Sequence, residues 1–503
     1  MAGVFAAVKA HDAGAQVVMV SKGRLGASGL TPFARGIFAY DPQKATMSVD
    51  DYVAAVSRSA LGTNNPVFTR QMVEHSLARV KELKFWGFFD SNLFAQSLRT
   101  PIDERNIPVL ERVMLTHLVK EKGRIAGAAG FSIDQGTIHV IQAKSVVLCT
   151  GAGGFKPNGF PVCELTHDGS IMAYRIGAKI TGKEWNDGHP GNLEHPAAVY
   201  EQWKNEFERK PSVTGVTLRH DLGMEQNYQI YTLGPLHEKT MDLMKKPVMD
   251  PNGPYRPAGF DQAGPQGEGN TPPPGMGGIP GGGASAGMAI HKSEGLVPYD
   301  DKGASNIPGL YAAGDALGSH MSGGIYTQIG ASLAGSAVQG AIAGEAAAAH
   351  VQGKSMPVIP QTRRDQIRQE ILAPLTRKRG YSPAWVTQTL QGIMIPNFVL
   401  YIKKESMMQA ALAYIQELRD HHAPMLRAAN LHELRLAHET VNMIISAEMK
   451  LRASLMRKES RCSHYRLDYP HMDTKNWNAW INIYQGSDGS MRLEKQPFGT
   501  WPS

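Results

Sequence analysis

The feature that most constrains this chain is a set of glycine-bearing turns, far apart along the sequence, each beside an apolar strand signal. Gly3 to Ala13 places small and apolar residues at helical spacing, Gly14 ends the run, and Gln16-Val17-Val18-Met19-Val20 reads as a buried strand. Much later, Ala143 to Thr150 gives a second strand signal running into Gly151-Ala152-Gly153-Gly154. Gly309 to Leu317, followed by Ser322 to Ala349, repeats the pattern with a strand, a Gly-rich turn and a long Ala/Gly helix. Glycine permits tight turning and close backbone approach, so a bound group or another backbone must come close at these turns. The pieces are expected to belong to one parallel sheet of an α/β fold, with insertions between them.

Between and beyond them the texture changes. Pro251 to Gly283 is crowded with Pro and Gly and reads as a long irregular connection. After Pro357 come charged, helix-spaced segments at Arg363 to Leu372, Pro383 to Ile393, Glu405 to His421 and Leu431 to Leu455, which form a helical domain. From Ser460 onward aromatics, Pro and Gly return, and a structured but irregular tail is expected.

Composition excludes several classes. At 503 residues the chain can bury a large core, and its 42% hydrophobic and 19% charged residues are ordinary for a soluble globular protein. No apolar run approaches the ~20 residues of a membrane helix. The opening residues show no basic leader with a small-residue cleavage site, so a cytoplasmic location is expected. Cys149, Cys163 and Cys462 are too few and too scattered for an iron–sulfur or zinc site, which places any such cluster on a partner. The net charge of +7 is dispersed and not interleaved with aromatics, which argues against nucleic acid.

A dinucleotide fingerprint G-x-G-x-x-G sets a pyrophosphate against backbone N–H groups at a helix N-terminus. Met1-Ala2-Gly3 fits only its last x-x-G; the preceding strand and glycines are not in the sequence, and an ordinary Ala-rich helix would fit as well. The strand at 16–20 then ends in Ser21-Lys22, followed by Gly26-Ala27-Ser28-Gly29-Leu30-Thr31 and Ala34-Arg35-Gly36-Ile37. Here the chain resembles the succinate dehydrogenase/fumarate reductase flavoproteins, in which a strand ending Ser-Lys leads to a small-residue loop over the flavin. The likeness recurs in order. Thr150-Gly151-Ala152-Gly153-Gly154 is similar to the family's second Gly-rich turn, His167-Asp168-Gly169 to its T-G-D-G, Glu184 to Pro190 to its E-x-x-x-x-H-P, and Ile307 to Asp315 to its P-G-L-Y-A-A-G-[DE].

The resemblance implies a Rossmann-like FAD-binding domain with an inserted α+β capping domain and a C-terminal helical domain. Its boundaries here would be 1–190 and 275–355 for the FAD-binding parts, 191–274 for the cap, 356–459 for the helical domain and 460–503 for the tail. The implied FAD contacts are Gly3, Ser21, Lys22, Ser28, Gly29, Thr31, Gly36, Thr150, Gly151, Asp168, Gly314, Asp315, Ser332 and Leu333. Asp315 would meet the ribityl chain, and the helix beginning near Gly330 would aim its positive end at the flavin. Ser28 and Thr31 are also suited to capping local backbone. Leu30 stands where some relatives carry a covalently attached histidine, so noncovalent FAD is expected. Without the preceding strand, two strand edges would be exposed and FAD retention by these 503 residues would be weak.

Substrate residues match less well. His189 fits the family's substrate-contacting histidine, but Thr327 stands where its substrate arginine belongs, and the histidine before Met-Gly-Gly is replaced within Pro272 to Gly278. A carboxylate without its cationic partner binds poorly, so succinate and fumarate are doubtful substrates. His320 and Arg219 are substitutes, as are His220 and Arg256. The tail, with Glu459-Ser460-Arg461 and Tyr465 to Pro470, also resembles the α subunit of adenylylsulfate reductase, which works with a small iron–sulfur subunit. Arg461 and Arg466 are expected in salt bridges between domains. The leading reading is an oxidoreductase exchanging hydride with a small anionic organic substrate and electrons with a partner. The alternatives are a noncatalytic flavoprotein and an adenylylsulfate-reductase-like flavoprotein.

Overall fold

The computed structural model describes residues 1–33, 36–45, 47–89, 94–156, 164–185, 212–214, 290–291, 294–318, 321–324, 331–394, 397–400 and 402–501. Helix α1 (Ala2–Asp12) buries residues on every side, including Val4, Phe5, Ala7 and Val8, as its all-round apolar sequence requires. Gly14 ends it at φ 86°, and the Ala15 N–H donates to the Ala10 carbonyl in a left-handed C-terminal cap. Strand β1 (Met19–Val20) follows.

After α1 and β1 come helices α2 (Val49–Ser59), α3 (Pro66–Phe85) and α4 (Phe94–Asp103), the short strand β2 (Val109–Leu110), and an antiparallel sheet of β3 (Val113–Glu121), β4 (Arg124–Ser132) and β5 (Ile138–Gln142). Lys122 and Gly123 both take positive φ, which makes the tight turn between β3 and β4. Strand β6 (Val146–Leu148), helix α5 (Asp168–Arg175) and strands β7 (Ile180–Thr181), β8 (Gly295–Leu296) and β9 (Leu310–Ala312) lead to the long helix α6 (Ala331–Val351).

Helices α1 and α6 are in unusually close contact. A Cβ on Gly340 would lie 2.3 Å from the Ala2 carbonyl oxygen, and one on Gly344 would lie 2.3 Å from that of Ala6. Two glycines one turn apart therefore let the backbones touch, which explains the Ala/Gly composition of α6.

The parallel strands do not form one sheet. β1 pairs with β2, β6 pairs with β9 in register Val146–Leu310 to Leu148–Ala312, and the pairs are separate among the described residues. Met19, Val20, Val146 and Val147 are accordingly only half-buried, whereas central parallel strands are covered on both faces. The long helix expected from Ser322 starts at Ala331, and Ser322 to Gly324 form a turn region instead.

The helical domain contains α7 (Gln361–Thr376), α8 (Pro383–Met394), α9 (Glu405–Glu417) and α10 (Leu431–Met456). Asn430 caps α10 by accepting from the Glu433 N–H at 3.0 Å, while Glu433 accepts from the Ala429 N–H. The tail is more regular than its composition suggests. β10 (Ala479–Gln485) and β11 (Met491–Pro497) form a hairpin, and β10 also pairs with β7, giving the order β8-β7-β10-β11. The alternating Trp480, Asn482 and Tyr484 against Ile481 and Ile483 carry the two-residue period that the Pro and Gly content obscured. No helix among the described residues is long and apolar enough to cross a membrane.

Candidate functional site

The pairing of β6 with β9 carries the second and third turns to the same edge, and the Ala313 N–H donates to the Leu148 carbonyl just beyond the strands. Thr150-Gly151 and Gly314-Asp315 therefore emerge side by side at the carboxyl ends of parallel strands, where α/β folds bind ligands. The start of α1 joins them. A Cβ on Gly314 would lie 3.1 Å from the Ala2 Cβ, and one on Gly3 would lie 3.5 Å from the Cys149 Cβ. Burial lowers the pKa of the Met1 amino group, opposed by the nearby Asp315 carboxylate, and the group donates to Thr31 Oγ1 at 3.2 Å. Burial also pushes the Cys149 thiol up to about 12, so it stays protonated.

Gly151 and Gly314 take φ of 74° and 66°, and the Gly314 N–H donates to Gln339 Oε1 at 3.0 Å. Asp315 sits in a 3-10 turn, Gly314–Ala316, and Ser332 and Leu333 lie in the first turn of α6.

Lys22, at the end of β1, is the hub of the loop. Its ammonium reaches the Glu164 carbonyl at 2.7 Å, Thr166 Oγ1 at 2.9 Å, Asp168 Oδ2 at 2.6 Å and Glu439 Oε1 at 2.9 Å. Burial alone would lower this lysine, but the Asp168 and Glu439 carboxylates together hold it above its ordinary value. Four acceptors take its three hydrogens, so Lys22 braces the site from within. Asp168 is similarly engaged: Oδ1 accepts from Asn442 Nδ2 and Thr166 Oγ1, both at 2.9 Å. Burial raises the Asp168 carboxyl, but Lys22 and these bonds outweigh it and leave the pKa lowered. Lys156 also reaches Glu439, which is fully buried on α10.

The other loop residues have local roles. Ser28 Oγ donates to the Arg24 carbonyl at 3.0 Å, Ser21 makes backbone bonds to the β2 segment, Gly29 takes φ 72°, and Gly36 pairs with Ser212. His189, Arg219 and His320 lie outside the described residues, as do His220, Arg256, Thr327 and the segment Pro272 to Gly278.

A narrow cleft of about 10 Å³ opens against the second turn, lined by Thr150 to Gly153, His167 to Ser170, Glu294, Gly295 and Ala316. His167, which stands at the first glycine of the family's T-G-D-G, adopts φ 62° and ψ 17°, a left-handed conformation that glycine takes more readily. Its ring stacks obliquely on Phe155 at 5.3 Å, and Nδ1 lies 2.5 Å from Glu294 Oε1. A Cβ on Gly153 would lie 1.9 Å from that nitrogen.

The site continues into the helical domain. Three consecutive carbonyls are held by buried ammonium groups: Lys450 reaches Lys183 O at 2.6 Å and Trp185 O at 2.9 Å, and Lys403 reaches Glu184 O at 2.6 Å. Lys403 also meets His464 Nδ1 at 2.8 Å, and burial pushes both groups well down. Arg457 bonds Glu184 at 2.9 Å and Glu459 at 2.8 Å and lies over the Trp185 ring. Arg461 pairs with Glu459, and Arg466 with Asp468 and Glu405, so both arginines serve ion pairs. Sequence reasoning missed Glu439, Lys183, Lys403 and Lys450, whose signal was charge at apolar-face positions of otherwise buried elements.

These residues fit FAD. Gly151 leaves the Cβ position open apart from Leu165 at 3.6 Å, so backbone can approach a ligand, and the N-terminus of α1 abuts two positive-φ turns. No group of His, Cys, Asp and Glu among the described residues could hold a metal ion.

Comparison with known proteins agrees with this geometry. The family model described as fumarate reductase flavoprotein C-term matches residues 387–501. A fumarate reductase (CoM/CoB) subunit of Methanothermobacter marburgensis is 24% identical over 542 aligned positions, covering 93% of each chain. A mutant of E. coli quinol fumarate reductase FrdA shares the fold at a TM-score of 0.74 and 18% identity, covering 99% of this chain and 95% of that one. Adenylylsulfate reductase of Archaeoglobus fulgidus does so at 0.70 and 19%, covering 99% and 94%. The chain is thus similar over nearly its whole length to fumarate reductase flavoproteins, and its residues 387–501 match the model of their C-terminal region.

Proposed function

We propose that this chain transfers hydride between the flavin N5 of noncovalently bound FAD and a small anionic organic substrate, exchanging electrons with a separate partner such as an iron–sulfur subunit. The observation that carries the reading is the meeting of Gly3, Thr150-Gly151 and Gly314-Asp315 at one strand edge. Bound FAD supplies the two-electron chemistry; the chain's own residues hold and shield it. In this reading Gly3 and Gly151 admit the pyrophosphate, Asp315 accepts from the sugar-alcohol chain, and Ser21, Ser28, Gly29, Thr31 and Gly36 shape the loop that Lys22 and Asp168 hold in place. Ser332 and Leu333 open α6, whose N-terminal dipole favours negative charge.

His189, Arg219 and His320 are assigned to substrate, either delivering a proton or pairing with its anionic groups. The division at residues 190, 274, 355 and 459, and a cytoplasmic location, belong to the same proposal. The test is a visible spectrum of the purified chain reconstituted with FAD, followed by acid precipitation. Flavin absorption with the flavin released into the supernatant supports noncovalent binding. Anaerobic reduction and reoxidation with unsaturated acids, keto-steroid-like compounds and adenylylsulfate then identifies the substrate class. A protein that stays colourless with excess FAD would end the proposal.

A further inference from the structure

The helical domain presents three aromatic rings to solvent at one spot. The Tyr381 and Trp385 rings stack with centroids 5.6 Å apart and planes 20° apart, and the His422 ring lies 4.5 Å from the first and 5.7 Å from the second. Tyr381 is 41% exposed, Trp385 48% and the neighbouring Met425 45%. A cluster of large apolar side chains facing water marks a contact surface. The backbone beneath it is fixed: the Tyr381 N–H donates to the Met425 carbonyl and the Arg427 N–H to the Tyr381 carbonyl, both at 2.9 Å. Trp385 stands in the first turn of α8, whose Val386 and Leu390 anchor it in the core, and His422 ends the π-turn Leu418–His422. The rings are thus held in place before anything binds, so little side-chain freedom is lost on contact.

Positive charge borders this platform. Lys378 and Arg379 come just before Tyr381, and a Cβ on Gly380 would lie 3.1 Å from the Arg427 Cβ, so all three cations flank the same edge. They are exposed, and none makes an ion pair among the described residues. The acidic residues at the π-turn do not answer them: Glu417 lies 3.8 Å from His421, and Asp420 lies 2.7 Å from Arg419. Tyr, Trp, Met and Arg are the residue types enriched where proteins meet proteins.

We propose that this surface docks a protein partner whose own face is acidic with an apolar centre. Its carboxylates would meet Lys378, Arg379 and Arg427, and an apolar side chain would cover the Tyr381–Trp385 platform. A second copy of this chain would set like charges against one another. Three cations are fewer than the roughly four to eight of basic clusters that hold anionic membranes. The rings stack on each other, whereas those that bind a single-stranded nucleic acid leave their faces open to successive bases along a groove. From the platform α8 runs to Gln391, whose Nε2 donates to the Phe155 carbonyl at 2.9 Å, so a partner docked here would contact the helix that braces the segment after the second turn. The proposal does not depend on the FAD reading.

The test is fluorescence anisotropy of the full chain with a fluorescein-labelled amphipathic peptide bearing glutamates on one side and leucines on the other. The comparison probes are the same peptide with lysine for glutamate, an all-glutamate peptide, vesicles of equimolar phosphatidylserine and phosphatidylcholine, and a single-stranded oligothymidylate. The Glu/Leu peptide is expected to bind in a salt-sensitive way, about tenfold or more tighter than either other peptide. Trp385→Ala and Arg379→Glu are each expected to weaken it by about tenfold or more, and Trp385→Phe by less. Lys44→Glu, the same kind of charge change at another exposed position, should leave it near the parent. Arg379 is on the surface, so its variant reads the proposal even where Trp385→Ala disturbs α8. Absence of peptide binding, parent-like binding by Arg379→Glu or by a folded Trp385→Ala, or tighter binding to the vesicles or the oligothymidylate would overturn the proposal.

Discussion

Glu439 Oε1 lies 2.9 Å from the Lys22 ammonium, joining the middle of α10 to a loop that precedes it by 417 residues. The other carboxylate oxygen meets Lys156, so one buried carboxylate serves two lysines, of which Lys22 also has Asp168. Removing it leaves two buried cations short of a partner, a larger loss than that of an exposed pair. Glu439→Gln is expected to cost about 3 kcal/mol, measured by denaturant unfolding of the apo chain. An unchanged midpoint would show the lysines to be solvated in solution.

The contact between α1 and α6 leaves no room for a methyl group. Gly344→Ala would drive a Cβ into the Ala6 carbonyl and is expected to destabilise the fold by about 1–3 kcal/mol through overpacking. FAD retention should fall with it, because α1 bears Gly3. Scanning calorimetry and the flavin content of the purified variant check the two effects; a variant as stable and as yellow as the parent would contradict the packing.

Lys450 has its pKa lowered by burial to about 7, although Glu294 and Glu184 oppose the shift, while in the unfolded chain it titrates near the ordinary lysine value of about 10.4. Between those values the unfolded chain binds more protons, so this group makes stability rise as pH rises from about 7 toward 10. Lys450→Met should abolish that part of the pH dependence. Urea unfolding of both proteins at pH 7 and pH 9 measures the difference, and equal slopes would refute the buried titration.

His189→Ala should lower kcat for the responsive substrate by about 100-fold or more, the usual contribution of a positioned acid or base. FAD content should not change. Stopped-flow reduction of the variant by that substrate provides the rate, and parent-like kinetics would remove His189 from the site.

The sequence disclosed elements whose signal is local. The apolar run of α1, the Gly14 stop and the helical segments after Pro357 appear within a few residues of their expected bounds. Helices α2 to α4 and the β3–β5 sheet were not anticipated, although the sheet pairs strands adjacent in sequence through short turns such as Lys122-Gly123. At the site, the glycine turns were legible because backbone geometry demands glycine. Glu439, Lys183 and Lys450 were not, because a buried charge is intelligible only beside its partner, and these partners are up to several hundred residues away. His167 shows the same limit: its side chain fills a space next to Gly153 that spacing alone could not reveal.

The hairpin of β10 and β11 has a reach beyond its own segment. Through Asn482 and Ile483 it lies against Thr181 and Ile180, and only one residue separates Thr181 from Lys183. Proteolysis at the exposed Asp488-Gly489 bend that released β11 would uncover an edge of that sheet. Cleavage at this bend would thus be transmitted through β10 to the strand that leads into Lys183.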